Sequence, residues 1–334
     1  MPSRRTARRA AALAVPLLAT VAAAAVYLGV SPLGDDAVAA QDPSGAEPTA
    51  TASSTVASST PTAAAEPSPT AEPAPAWTPA PYAVDYPLYG STEMVRFIES
   101  AVVAERAYFD IGWWTMGTTG RKIVNDAIRE IVIQNPYALI DSAQVYVGPS
   151  GQATQMTPGY QYDLSTRVER REETLRAVTA ALESLELEGM SKAAKVEAIH
   201  DYVARAATYD WDAAARIDAG EDAPESQEAY GILVTGTAVC GGYADAFNAI
   251  ARAAGLDTVV VTGKVTQDGE TIRHAWNMVR IKGAWRVVDV TWDDLDVEPV
   301  PHDYLLLAQD DPLLDSRTAD KAWMLDARIA DYSG

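Results

Sequence analysis

The dipeptide Lys282-Gly283 constrains the fold of this chain more than any other feature of the sequence. It separates two apolar runs, residues 272–281 and 284–291, and a two-residue connection between such runs is typical of a tight β-hairpin. A hairpin turn fixes the register, so the residues on either side of it should pair and every further pair follows. A third apolar run, residues 258–263, comes just before. The sequence therefore predicts an antiparallel sheet in this part of the chain.

This register would bring His274 and Asp289 together. It places His274 opposite Thr291 and Trp276 opposite Asp289, and because side chains alternate between the faces of a sheet, His274 and Asp289 become diagonal neighbours on one face. A histidine taken alone is as often a satisfied core residue. A carboxylate within an apolar strand, however, needs solvent or a partner, because burying it unpaired is costly. We therefore predict that Asp289 orients the His274 ring.

The chain contains a single cysteine, Cys240, so it cannot form an internal disulfide. The thiol is then either an inert buried group or a reactive one. The stripe that follows predicts an amphipathic helix with Cys240 in or just before its first turn, a position that favours the thiolate. Gly241 and Gly242 are expected to leave room for a substrate backbone beside the sulfur. The stripe consists of Tyr243, Phe247, Ile250 and Ala254, and Gly255 follows as a C-cap.

Cys240, His274 and Asp289 are the parts that covalent acyl transfer requires. The thiolate attacks a carbonyl, His274 holds and then delivers the proton, and Asp289 fixes the imidazole. The backbone N–H of Cys240 is the predicted first donor to the oxyanion, and Tyr209 and Trp211 are candidates for the second.

The remaining histidines, His200 and His302, have weaker claims to a functional role. His200 flanks the apolar stripe of a predicted helix and is interpreted as a packing or surface residue, and His302 lies in a proline-rich loop. The aspartates at 293, 294 and 296 lack the ligand pattern of a metal-binding loop and are predicted to solvate a turn. We therefore predict no metal site.

Upstream of Cys240 the sequence predicts four helices and a pair of strands. Apolar residues recur at helical spacing around residues 95–102, 123–131, 168–185 and 196–203, and Ser191 can cap the last of these helices. Alternating residues around a Gly-Pro-Ser-Gly cluster, between 142 and 164, predict the two strands.

Three segments resemble the core of the transglutaminase-like superfamily over about residues 192–307. They are Gly236-Thr-Ala-Val-Cys240-Gly-Gly-Tyr-Ala-Asp-Ala-Phe247, Arg273-His274-Ala-Trp-Asn277 and Val288-Asp289-Val-Thr-Trp292-Asp-Asp294. Gly241 departs from the pattern, since many relatives carry a larger polar residue there. The resemblance implies an α+β, papain-like fold in which the cysteine-bearing helix packs on an antiparallel sheet that supplies His274 and Asp289. It also implies that no cofactor is needed.

The first 81 residues predict export and a tether. Four arginines lie in the first ten residues, and an uncharged alanine-rich run covers residues 10–30. We divide the chain into a signal peptide or N-terminal membrane anchor (1–40), a disordered Pro/Ala/Thr/Ser-rich linker (41–81), an N-terminal α/β extension (82–187) and a transglutaminase-like catalytic core (188–334). The expected location is extracytoplasmic, either secreted or anchored by that first segment.

Three functions remain open at this stage. The first is a transglutaminase-like thiol enzyme acting on peptides or proteins of the cell envelope, and the second is a cysteine peptidase or amidase with the same triad. The third is a tethered peptide- or wall-binding module without turnover. Nucleic acid is not an expected partner, because the formal net charge is −20 and such proteins present a basic face to phosphate.

Overall fold

The computed structural model describes residues 78–117, 120–267, 269–294 and 297–320. The predicted signal or anchor segment, and all of the predicted linker before residue 78, lie outside these described residues. Among the described helices, none has the length and apolar character needed to span a bilayer.

The N-terminal part combines three helices with a three-stranded antiparallel sheet, in which the last strand along the chain lies between the other two. The predicted helices and strands of this part are confirmed, and Asp163 caps the long third helix by accepting from Thr166 N. In chain order the elements are α1 (Glu93–Val103), β1 (Phe109–Asp110), α2 (Arg121–Gln134), β2 (Ile140–Val147), β3 (Ala153–Tyr160) and α3 (Leu164–Leu185).

The following part carries the cysteine helix and a four-stranded antiparallel sheet, in which the last strand along the chain forms an edge. Two short strands, Thr208–Tyr209 and Thr237–Ala238, pair in parallel just before the cysteine helix. The elements are α4 (Lys192–Ala206), β4 (Thr208–Tyr209), α5 (Trp211–Asp218), β5 (Thr237–Ala238), α6 (Cys240–Ala253), β6 (Thr258–Gln267), β7 (Glu270–Ile281), β8 (Ala284–Val288), the single turn α7 (Val290–Asp293) and β9 (Arg317–Ala319).

The predicted hairpin register is confirmed along the whole of β8. Ile281 pairs with Ala284 and Asn277 with Val288. Lys282 and Gly283 have φ values of 52° and 84°, and a two-residue hairpin turn with both central residues in this left-handed region matches the twist of the strands. The local turn chemistry therefore determined the pairing.

Beyond Val288 the predicted ladder is wrong, because the chain leaves the sheet at Asp289. The backbone N–H of Asp289 donates to the carbonyl of Tyr304 at 3.1 Å, and Thr291 lies in α7 rather than opposite His274. This bend depends on a carbonyl 15 residues further along the chain. Asp289 nevertheless stays beside β7.

The helix α6 packs on the sheet, which gives the α+β architecture with a cysteine-bearing helix on antiparallel strands. Cys240 and Ala244 share an apolar cluster with Val260 and Trp276 of the sheet. Asn277 Nδ2, on β7, donates to the carbonyl of Ala244 at 2.9 Å, so one buried amide fixes the helix against the strand.

The N-terminal part is attached to the same sheet. Gln134, at the end of α2, donates through Nε2 to the carbonyl of Val260 at 2.7 Å and accepts from its N–H at 2.9 Å. Asn248 of α6 donates to the carbonyl of Gln134 at 3.1 Å. These buried bonds hold the helix end against β6 and the cysteine helix.

Candidate active site

His274 lies on β7 with its ring held by Asp289. The Nε2 atom bonds Asp289 Oδ2 at 2.7 Å, and both side chains are buried. Asp289 is the residue just after β8, where the chain has left the sheet. It therefore contacts the ring without occupying the diagonal position that a continuous ladder would give it. The pair predicted from the hairpin is thus brought together by a slightly different route.

Cys240 is the first residue of α6, as its sequence context predicts, and only 6% of it is exposed. Its thiol is a hydrogen-bond partner of the His274 ring. Because Nε2 of that ring is engaged by Asp289, Nδ1 is the nitrogen left for the sulfur. The helix dipole adds positive potential at the same point, which stabilises a thiolate there.

The electrostatics of the pair favour an ionised site. Burial lowers the pKa of His274, but the charge and hydrogen bond of Asp289, followed by those of Cys240, outweigh it and raise the pKa from 6.5 to about 9. Burial raises the pKa of Asp289, but the charges of His274 and Arg317 outweigh it and lower the pKa from 3.8 to about 2. At neutral pH these shifts favour an imidazolium beside an ionised Asp289.

Arg317 completes this cluster and was not predicted from the sequence. It lies on β9, and its Nη1 donates to Asp289 Oδ2 at 2.5 Å, the same oxygen that His274 contacts. No motif surrounds this residue, and a buried arginine cannot be distinguished from the more common exposed one in a single sequence. Only the pairing of β9 with β6 brings it to the site.

The two candidates for the second oxyanion donor differ in the structure. Tyr209 is half-buried, and burial and then the negative charge of Cys240 raise its pKa well above the ordinary value. A phenol that keeps its proton and lies within the electrostatic range of Cys240 is a candidate donor to an oxyanion. Trp211 is 65% exposed and packs its ring against Tyr209 at a centroid distance of 4.7 Å. Tyr209 is therefore the better placed of the two.

Gly242 has a different role from the one expected. A Cβ at this position would lie 2.6 Å from the Cβ of Ala238 and 2.9 Å from the carbonyl of Ser226. The missing side chain lets α6 pack against the preceding loop. The expectation that Gly242 leaves room for substrate is therefore wrong on this face of the helix.

His200 and Asp293 form a second buried pair, which agrees with a packing role for His200 and corrects the expectation for Asp293. His200 Nε2 bonds Asp293 Oδ2 at 3.0 Å with both side chains buried, so Asp293 does not solvate a turn. His200 Nδ1 lies 3.1 Å from Asp201 Oδ1, and His302 Nε2 lies 2.7 Å from the same oxygen. Asp294 accepts from the Tyr243 hydroxyl at 2.5 Å, and residue 296 lies outside the described residues.

The geometry supports nucleophilic chemistry on a carbonyl. A thiol at a helix start, an imidazole bonded to it and a carboxylate on the far ring nitrogen form the sequence of contacts that activates a nucleophile. A family model described as the transglutaminase-like superfamily matches residues 179–290, which contain Cys240, His274 and Asp289. This segment belongs to the transglutaminase-like superfamily. The resemblance noted in the sequence is thereby confirmed, as is the papain-like α+β fold that it implied.

One curated relative matches part of this chain. The kyphoscoliosis peptidase of Mus musculus is 34% identical over an alignment of 113 residues, and the match covers 31% of this chain and 16% of the mouse protein. Our chain therefore spans about one sixth of that relative's length.

Two solved structures also align with parts of this chain. One is described as a TGase, with 18% identity, a TM-score of 0.32, and coverage of 46% of this chain and 44% of its own. The other, provisionally named as a cysteine protease from Cytophaga hutchinsonii, has 15% identity, a TM-score of 0.31, and coverage of 56% and 68%.

Proposed function

We propose that this protein is a thiol acyl-transfer enzyme that acts on peptide or protein amides through Cys240, His274 and Asp289. One observation carries the proposal, namely that the His274 ring is bonded to Asp289 through one nitrogen and to the Cys240 thiol on its other side. His200, the other buried histidine, has a carboxylate on each ring nitrogen, whereas His274 has a thiol as one partner, and a thiol can act as a nucleophile.

Acylation begins from the thiolate and the imidazolium. The sulfur of Cys240 attacks the amide carbonyl and forms the C–S bond, while the negative charge moves to the carbonyl oxygen. The backbone N–H of Cys240 and the phenol of Tyr209 are the proposed donors to that oxygen. His274 then gives its proton to the departing amine as the C–N bond breaks, which leaves a thioester and a neutral imidazole.

Deacylation reverses the roles. His274 takes a proton from the acceptor, which attacks the thioester and releases the thiolate. An amine acceptor gives transamidation, and water gives peptidase or amidase activity. The names of the relatives include both a TGase and a peptidase, so hydrolysis with the same triad is the second candidate. A tethered peptide- or wall-binding module without turnover is the third.

The proposed substrates are peptides or proteins of the cell envelope. The support for this is the N-terminal sequence alone, in which an arginine-rich start and an apolar run precede a Pro/Ala/Thr/Ser-rich stretch. On this reading the catalytic part acts outside the membrane, with secretion and anchoring as alternatives. Mass spectrometry of the mature N-terminus in the producing cells distinguishes them, because a start near Ala40 excludes an anchor.

Thiol reactivity tests the activated nucleophile. Because the chain has a single cysteine, alkylation by limiting iodoacetamide reports on Cys240 alone. The folded protein should react faster than the urea-denatured protein near pH 6.5, where an ordinary thiol with a pKa of about 8.5 is almost fully protonated. His274→Gln should remove the difference. If the folded and denatured proteins react at equal rates, the proposal fails.

A second assay separates the candidate activities. The folded protein is incubated with a glutamine-containing peptide and a labelled primary amine. Incorporation that is lost in Cys240→Ser supports transamidation, and cleavage or deamidation without incorporation supports a hydrolase. If neither reaction occurs with a reactive thiol, binding of the same peptide by the Cys240→Ser protein supports the module without turnover.

A further inference from the structure

Arg317 reaches the proposed triad from the edge of the sheet. Strand β6 lies between β7 and β9 and pairs antiparallel with both. Gly263 on β6 therefore has His274 of β7 on one side and Ala319 of β9 on the other. A Cβ on Gly263 would lie 2.3 Å from the carbonyl of Thr318. Only a glycine therefore lets the edge strand approach closely enough for Arg317 to contact Asp289.

The guanidinium is held by one carboxylate and a set of aromatic rings. The side chain of Arg317 is 4% exposed, and its carbon Cζ lies 4.5 to 5.4 Å from three ring centroids. Aromatic faces attract a cation, and more strongly when water is excluded. Nε and Nη2 have no hydrogen-bond acceptor within the described part of the chain, so Asp289 is the anion that compensates the charge. The rings belong to Trp276, Trp292 and Tyr304.

The net charge of this cluster stays at zero during the acylation proposed above. In the resting state a thiolate, an imidazolium, the Asp289 carboxylate and the guanidinium sum to zero. In the thioester intermediate Cys240 and His274 are both neutral, and the carboxylate and guanidinium again sum to zero. Without Arg317 the intermediate would contain a buried carboxylate beside a neutral ring, and a buried charge without a partner is strongly disfavoured.

We propose that Arg317 is a positioning residue that keeps the Asp289 carboxylate ionised and in place during the half of the reaction in which His274 is neutral. Arg317 acts through Asp289 and does not contact substrate. It thereby allows His274 to become a free base for the acceptor, because the carboxylate no longer depends on the imidazolium as its only counter-charge. This inference rests on the acyl-transfer chemistry proposed above.

The size of the effect follows from the shared oxygen. His274 Nε2 and Arg317 Nη1 are bonded to the same Oδ2, so these two nitrogens are separated by no more than about 5 Å. At an effective dielectric of about 20, repulsion at this distance lowers the pKa of an imidazolium by more than one unit. Removing the guanidinium should therefore raise the pKa of the His274–Asp289 pair. The other ionisable groups that act on this pair are Cys240 on α6, Tyr209 on β4, Asp293 on α7 and Tyr304 in the loop before β9.

Titration of His274 in the absence of the thiolate tests the proposal without requiring turnover. In the full chain carrying Cys240→Ala, the imidazole has no thiol or thiolate partner, which matches the thioester intermediate in charge. The ring signals of the three histidines are followed by NMR against pH, and His274→Gln assigns the relevant one. Adding Arg317→Met should raise the apparent pKa of the His274–Asp289 pair by one unit or more, a tenfold change in the protonation constant. Adding Arg317→Lys, which keeps the charge, should leave it within about half a unit.

The outcomes distinguish a charge effect from a packing effect. An unchanged pKa in Arg317→Met, or an equal shift in Arg317→Met and Arg317→Lys, overturns the proposal. The signals of His200 and His302 serve as internal controls for folding. If Arg317→Met does not fold, Arg317→Gln replaces it. If neither neutral variant folds, the test rests on Arg317→Lys: a pKa shift of one unit or more in that variant overturns the proposal, and a smaller shift supports it. Failure of the iodoacetamide test in the otherwise unchanged chain would instead contradict the proposed function.

Discussion

Replacing Asp289 with asparagine should disable the site by leaving two cations without their anion. The substitution keeps the shape of the side chain and removes its charge. Asp289 Oδ2 bonds both His274 Nε2, at 2.7 Å, and Arg317 Nη1, at 2.5 Å. In a triad without the arginine, an amide could still hold the ring. Here the amide would also leave a buried guanidinium beside an imidazole, which disfavours the imidazolium.

The magnitude can be worked from these distances. Bonded atoms 2.7 Å apart place the centres of the two charges about 4 Å apart, and such a pair is worth about 4 kcal/mol at an effective dielectric of about 20. One pKa unit corresponds to about 1.4 kcal/mol, so the pKa of His274 should fall from about 9 by about three units. Losing one partner of a buried ion pair should also cost about 3–5 kcal/mol of stability, because Arg317 remains uncompensated.

The assay is the pH dependence of alkylation of Cys240 by iodoacetamide, with thermal unfolding measured in parallel. Near pH 7 the Asp289→Asn protein should react about tenfold more slowly than the parent, because an imidazole whose pKa has fallen to about 6 is mostly neutral there and no longer stabilises the thiolate. Asp293→Asn is the matched control, since it removes the carboxylate from the other buried histidine, His200. It should lower stability and shift the alkylation profile far less than Asp289→Asn does, because Asp293 bonds His200 and not His274. Overlapping profiles for Asp289→Asn and the parent would refute the electrostatic account of the site.

Three further predictions concern the residues around the triad. Tyr209→Phe should slow acylation by a peptide substrate about 100-fold and leave alkylation by iodoacetamide unchanged, because alkylation forms no oxyanion; equal losses in both reactions would contradict the role. Gly263→Ala should lower both the midpoint of thermal unfolding and the rate of peptide turnover, because the added Cβ would lie 2.7 Å from the Trp276 ring. Gly148→Ala is the control and should change neither, because no heavy atom lies closer than 3.8 Å to its added Cβ. Because the folded-state pKa of His274 is raised from 6.5 to about 9, the stability that its protonation contributes should be complete below pH 6.5 and be lost as the pH rises through 9. A midpoint of urea unfolding that stays constant across this pH range would exclude that contribution.

The parts of the fold that local chemistry determines could be predicted from the sequence. The Lys282-Gly283 turn needs two left-handed residues, and its register follows from the strands it joins. The helix that starts at Cys240 follows from an apolar stripe and a glycine C-cap. The pairing of His274 with Asp289 depended on that register, and their approach was predicted although the ladder ends at Val288.

The parts that depend on distant segments could not be predicted. The bend at Asp289 requires the carbonyl of Tyr304, and Asp293 is buried because His200 and two backbone N–H groups bond it. Arg317 is the clearest case. Its burial depends on a three-residue edge strand and an aromatic surround, and neither hydrophobic periodicity nor turn residues carry that information.

The position of β9 also sets the length of the smallest unit that could work as proposed. The segment that matches the superfamily ends at residue 290, after Cys240, His274 and Asp289 but before Arg317. A chain cut at that boundary would retain every residue of the triad and would lose the cation that balances its carboxylate. On the proposed mechanism the chemical unit is longer than the matched segment, and transplanting that segment alone would carry over the proposed nucleophile without the electrostatics proposed to let its histidine act as a base.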